Sequence, residues 1–253
     1  MHRLFATFAF LSCLNLEPDE LHIMHLGTSM YVLGAVIWLL VYRVLPGSPV
    51  QNMSQVWQII GRAYAALDVK NQFPSIGIKS LTTPEKPAEH YPKLKGKGNQ
   101  IKHLVEPLKV VWETCANLAD PANQLILQLL QQLVTIQLLI DTHSHDLFMS
   151  DANAAQLRTA IDIFLDIYCR LVQMADAALD HLWNMVPKFH WLWHLGDRAR
   201  YLSPRRGACW VDEYFVGVMK VAAHSCATGT PLHKIPIALM QKYRWGRFAE
   251  SIQ

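Results

Sequence analysis

Asp19 and His22 stand three residues apart in Asp19-Glu-Leu-His22-Ile-Met-His-Leu-Gly27-Thr28, immediately before a long apolar run. At that spacing a carboxylate and an imidazole meet on one side of a helical turn, where they can hold a divalent metal ion or address a phosphoryl group. The ordinary structural alternative for Asp19 is a helix cap. His190 and His194 have the four-residue spacing that puts two imidazoles on one helix face, half of a zinc site. No glutamate follows His190 as it would in a HExxH protease, so packing beside Trp191 and Trp193 is the simpler reading. His143-Ser-His145 and His224-Ser-Cys226 are further ligand-like pairs, at spacings common by chance.

Two basic clusters are candidate nucleic-acid contacts: Lys93, Lys95, Lys97 and Lys102 on a glycine-containing segment, and Arg198, Arg200, Arg205 and Arg206 around Ser203-Pro204. Such side chains grip phosphates, and a solvated loop is the alternative for each cluster. Lys93 to Gly98 is not a P-loop, because the GxxxxGK[ST] spacing is absent. No GxSxG, kinase or dinucleotide signature appears, which argues against ordinary hydrolase and Rossmann chemistry. A net charge of +3 is too mild to argue for nucleic acid by itself. Five scattered cysteines without a CxxC pair suit free thiols in a reducing compartment, hence an intracellular protein, with the nucleus a candidate location.

These residues need elements to position them. A chain of 253 residues that is 51% hydrophobic and only 17% charged can bury a sizeable core. Its punctuation divides it into about eight helical pieces, so the expected fold is mainly α, an irregular multi-helix bundle with little or no sheet. Met30 to Leu45 is stopped by Pro46-Gly47, and Ser48-Pro49-Val-Gln51 opens the next helix with a capping box and runs to about Leu67. Residues 70–99 turn polar and proline-rich, a loop or ordered linker inside one helical domain over 1–253. Pro107 predicts two short helices in place of one. Asp120-Pro121 opens a helix with a glutamine stripe, and Ser150-Asp151 caps another that extends to about Met185. Segments 187–203, 208–223 and 231–243 complete the set, and any strand is expected in the first twenty residues or in 70–99.

Two further readings concern targeting. Met1-His-Arg3 followed by Leu4 to Leu14 has the shape of a secretory signal but a poor small-residue cleavage site. Leu21 to Tyr42 carries no formal charge, yet its strongly apolar part is only Met30 to Tyr42, shorter than a comfortable span, so a buried core helix is expected. A small membrane protein anchored by residues 30–42 is the alternative, and a helical protein-interaction scaffold is another.

Three stretches read together carry a resemblance: Asp19 to Leu45 with its His-Leu-Gly-Thr-Ser-Met-Tyr-Val-Leu-Gly, then Leu94-Lys-Gly-Lys-Gly-Asn-Gln-Ile-Lys-His-Leu104, and Pro187-Lys-Phe-His-Trp-Leu-Trp-His194 followed by Cys209-Trp-Val-Asp-Glu213. The chain resembles a large multicopy family of uncharacterised proteins in dinoflagellate genomes. At greater distance it is similar to the C-terminal part of CACTA and Plavaka-like DNA transposases, which carry D-x-x-H before Leu-Gly-Thr, a helical insertion, and Pro-Lys-x-His ahead of a last catalytic glutamate. The matching positions are Asp19 and His22, Pro187, Lys188 and His190, and Glu213. That similarity implies Asp19 and Glu213 as vestigial metal-binding carboxylates, His22 as a positioning group, and Mg2+ as the ion if catalysis is retained, because two-metal phosphodiester chemistry needs clustered carboxylates. It also implies that Asp19 and Glu213 converge. An RNase H-like site needs a further upstream aspartate, whereas residues 1–18 hold only Glu17 as an acid. The expectation is a transposase-derived helical domain, a C-terminal fragment that does not cleave, with DNA as candidate partner and no membrane. Helix capping for Asp19 and a surface carboxylate for Glu213 remain the structural alternatives.

Overall fold

Ser48, Asp120 and Ser150 each start a helix in the way their spacing requires. Gln51 N–H donates to Ser48 Oγ at 3.5 Å while Ser48 N–H donates to Gln51 Oε1 at 3.0 Å, closing the capping box. Ala122 N–H donates to Asp120 Oδ1 at 2.8 Å, and Asn153 N–H to Ser150 Oγ at 3.3 Å. The computed structural model describes residues 17–81, 91–227 and 229–250. The signal-like stretch Met1 to Leu14 lies outside the described residues.

Among the described residues the protein is mainly α, with eight α-helices and no sheet. Its chain forms two compact units, Met1–Ala208 and Cys209–Gln253. In the first, α1 (Ser29–Leu39) is flanked by π-helical turns at Leu21–Thr28 and Leu40–Val44. There follow α2 (Pro49–Ala66), α3 (Gly98–Cys115), α4 (Pro121–Thr142), α5 (Asp151–Ala177) and α6 (Pro187–Arg198). The second unit pairs α7 (Trp210–Ala227) with α8 (Ile235–Glu250), joined by a 3-10 turn at Leu232–Lys234. Phe215 and Tyr243 meet edge to face between them at 5.6 Å.

The apolar α1 is the core helix of the first unit. Val32, Leu33, Ala35, Val36 and Ile37 are fully buried and Trp38 nearly so, which satisfies the expectation that this stretch finds a dry protein surface. Leu21–Val44 and α4 are both long and apolar enough to cross a membrane, but the first is covered within the protein on most of its surface. On α4, Leu129, Leu133 and Ile136 face inward while Gln124, Gln128 and Gln131 face solvent. Asn52 locks the end of the core helix: its side-chain amide donates to the carbonyls of Val41, Leu45 and Gly47, and accepts from Gly47 N–H. The described part of segment 70–99 is ordered against the core through Phe73, Ile76, Leu81 and Leu94, with one isolated bridge between Leu81 and Leu94.

Helix boundaries differ from the sequence expectation at Pro107, at Ala177 and in the last three segments, where α6 ends at Arg198, α7 at Ala227 and α8 at Glu250. Pro107 does not divide its segment; α3 runs through it, because Leu104, Val105, Leu108, Val111 and Trp112 on both sides are buried on one face. That packing outweighs one missing backbone hydrogen bond. The helix capped by Ser150 ends at Ala177, well short of Met185. Leu179 adopts φ +54° and Asp180 N–H returns to Ala175 O at 2.9 Å, which turns the chain so that Leu182 and Trp183 are buried.

Candidate functional site

The Asp19–His22 turn forms as expected and does two things at once. Asp19 Oδ1 accepts from Leu21 N–H at 3.0 Å, a capping role, while Oδ2 lies 2.6 Å from His22 Nδ1. The pair stays accessible, with the Asp19 side chain 26% exposed and that of His22 42%. Beyond it the π turn breaks from helical geometry at Leu26 and Gly27. The break leaves the Leu26 carbonyl able to accept from Lys188 Nζ at 2.8 Å, across 162 residues of sequence. Gly27 is what permits this approach. A Cβ there would lie 2.6 Å from the His22 carbonyl oxygen and 2.7 Å from Lys188 Cδ.

Lys188 sits in the first turn of α6, which packs on the Leu21–Thr28 turn. Gly34 brings in the third participant. Lys93 Cα and Leu94 N lie 2.7 Å from where its Cβ would be, so the lysine-bearing segment lies directly on α1, and Leu94 N–H donates to Met30 O at 2.9 Å. The result is a cleft of about 570 Å³ lined by Asp19, His22, Tyr31, Lys93, Lys188 and Trp191, among others. Lys93 Nζ stands 5.2 Å from the Tyr31 ring centroid. Burial holds the Lys188 ammonium below the ordinary lysine range, the neighbouring Lys93 charge lowers it further, and Asp19 partly offsets both. At its rim Arg198 Nε donates to Glu17 Oε2 at 2.9 Å. An ammonium beside a carboxylate-oriented imidazole suits an anionic ligand, a phosphate ester above all.

The basic residues named from sequence fall into distinct groups. Lys95 and Lys97 are exposed and Lys93 lines the cleft. Lys102 is only 5% exposed and pairs with Asp141, so its charge is neutralised inside the fold. Arg205 reaches Glu20 at 3.3 Å, and Arg206 donates to the carbonyls of His145 and Asp146, tying the 198–206 segment to the loop after α4. Arg200 lies over Tyr201, 4.7 Å from its centroid. Glu213 belongs to the second unit, in the first turn of α7, where an acid complements the helix dipole. His190 and His194 meet on α6 with Nε2 atoms 3.0 Å apart.

Two residues escaped the sequence reading. Glu20 and His25, 1% and 0% exposed, bond through Oε1 and Nε2 at 2.8 Å. They are five residues apart, which is the repeat of a π turn and not of an α-helix, so no α-helical pattern reveals the pair. No family model matches the chain, nor does any curated protein or any solved structure.

Proposed function

We propose that the chain is a transposase-derived helical domain whose Asp19–Lys188 cleft holds the phosphate backbone of a nucleic acid, weakly and without cutting it. One observation carries this reading. The D-x-x-H turn and the Pro187-Lys188 helix start, the two segments of the first unit matched by the resemblance, line one cleft and are joined there by the bond from Lys188 to Leu26. Lys188 and Lys93 supply positive charge, Asp19 orients the His22 imidazole, and exposed Lys95 and Lys97 extend the basic surface along the same segment. Binding is favoured over cutting by the donor set of this cleft. Two-metal hydrolysis calls for clustered carboxylates, whereas here Glu17 is engaged by Arg198, the Lys188 ammonium interacts with Asp19, and Lys93 lines the same cleft.

Fluorescence anisotropy with labelled single- and double-stranded DNA tests the reading. Affinity should fall steeply as salt rises from about 50 to 200 mM, and Lys188→Met should weaken binding equally on all sequences and lower the salt slope by about one. With Mg2+ or Mn2+ the DNA should remain intact. Absence of salt-dependent binding would leave the protein-interaction scaffold as the better description, and substantial cleavage abolished by Glu213→Gln would overturn the inactive reading.

A further inference from the structure

We infer that His190 and His194 form a bidentate site for a divalent first-row transition metal on the outer face of α6. Their Nε2 atoms are 3.0 Å apart and the rings stand at 83°. An ion bonded to both at the usual 2.0–2.1 Å would subtend an N–metal–N angle of roughly 90–97° across that 3.0 Å gap. This matches adjacent positions of square-planar or octahedral coordination better than the wider tetrahedral angle of zinc. In the metal-free protein one Nε2 donates to the other; when a metal takes both Nε2 lone pairs, the donor ring turns away from the N···N line and its proton passes through solvent from Nε2 to Nδ1, so that both imidazoles bind as neutral ligands. Water or a ligand from another molecule completes the shell.

The backbone that carries the pair is already fixed. Phe189, Leu192 and Leu195 bury the opposite face of α6, and Gly196 packs so closely on α5 that a Cβ there would lie 2.8 Å from Ile161 Cδ1. Arg158 stacks on Trp193 at 3.9 Å while both Asp162 and Asp197 hold its guanidinium, so this cation is balanced by two carboxylates next to the site. Chelation therefore needs little ordering of the chain, the main cost of building such a site.

Untagged, metal-free full-length protein titrated separately with Cu2+, Ni2+ and Zn2+ provides the test. One Cu2+ per chain should bind most tightly, following the general order of these ions. Its electron paramagnetic resonance spectrum should show two imidazole nitrogens. His190→Gln and His194→Gln should each lower Cu2+ affinity at least tenfold and leave a single nitrogen at that site, whereas His145→Gln should change neither. Circular dichroism of the two variants checks that α6 persists. Affinity within twofold of the parent in both variants, or an unchanged two-nitrogen spectrum, would overturn the site.

Discussion

Two carboxylate–histidine pairs interleave on one turn of this protein and differ almost entirely in exposure. Asp19–His22 opens onto the cleft, while Glu20–His25 is sealed in the core with Arg205 reaching its second oxygen. The donor and acceptor types are the same. What separates them is access: the outer pair can meet a ligand, and the inner pair can only hold the π turn in shape. Residue type and spacing therefore nominate chemistry, and burial decides whether it is available.

The largest expected effect tests that division. Glu20→Ala or His25→Ala should destabilise the protein by about 3–5 kcal/mol in denaturant melts, since each leaves a buried polar partner exposed to an apolar site. Asp19→Asn, which keeps a capping oxygen, and His22→Gln should each cost under about 1 kcal/mol while weakening DNA binding. Equal stability losses at both pairs would dissolve the comparison. Next in size, Gly34→Ala should cost about 1–3 kcal/mol, because the atoms in its way are backbone of residues 93 and 94. Gly61→Ala, in the same unit with nothing within 4 Å of its Cβ position, should instead stabilise α2 by about 0.5–1 kcal/mol. The smallest effect is a pH response. Burial and Lys93 lower the Lys188 titration, so its charge is lost at lower pH than an ordinary lysine's, and DNA affinity should begin to fall below the usual lysine range as pH rises. In Lys188→Met that early decline should vanish.

Much of the fold was legible because it rests on local signals. Ser48, Asp120 and Ser150 announce their helices by side-chain chemistry that acts within three residues. Pro107 and the end of α5 depart from their local signals because packing, which is not local, outweighs a helix breaker in one case and turns the chain early in the other. The site was half legible. Asp19 and His22 are neighbours in sequence, but Lys188 joins them only through the shape of the Leu26–Gly27 break. Lys102 and Arg205 looked like surface cations and are partners of Asp141 and Glu20, since composition does not reveal which charges pair inside.

Nitrogen-detected NMR of the histidine rings, assigned with His22→Gln and His25→Gln, puts the central claim to its most direct test. A short DNA duplex titrated into the protein at low salt should shift the His22 ring resonances progressively, leave those of His25 in place, and need more DNA to do so in Lys188→Met. Binding that moves neither ring, while other residues respond, would contradict the assignment of the Asp19–Lys188 cleft as the phosphate site.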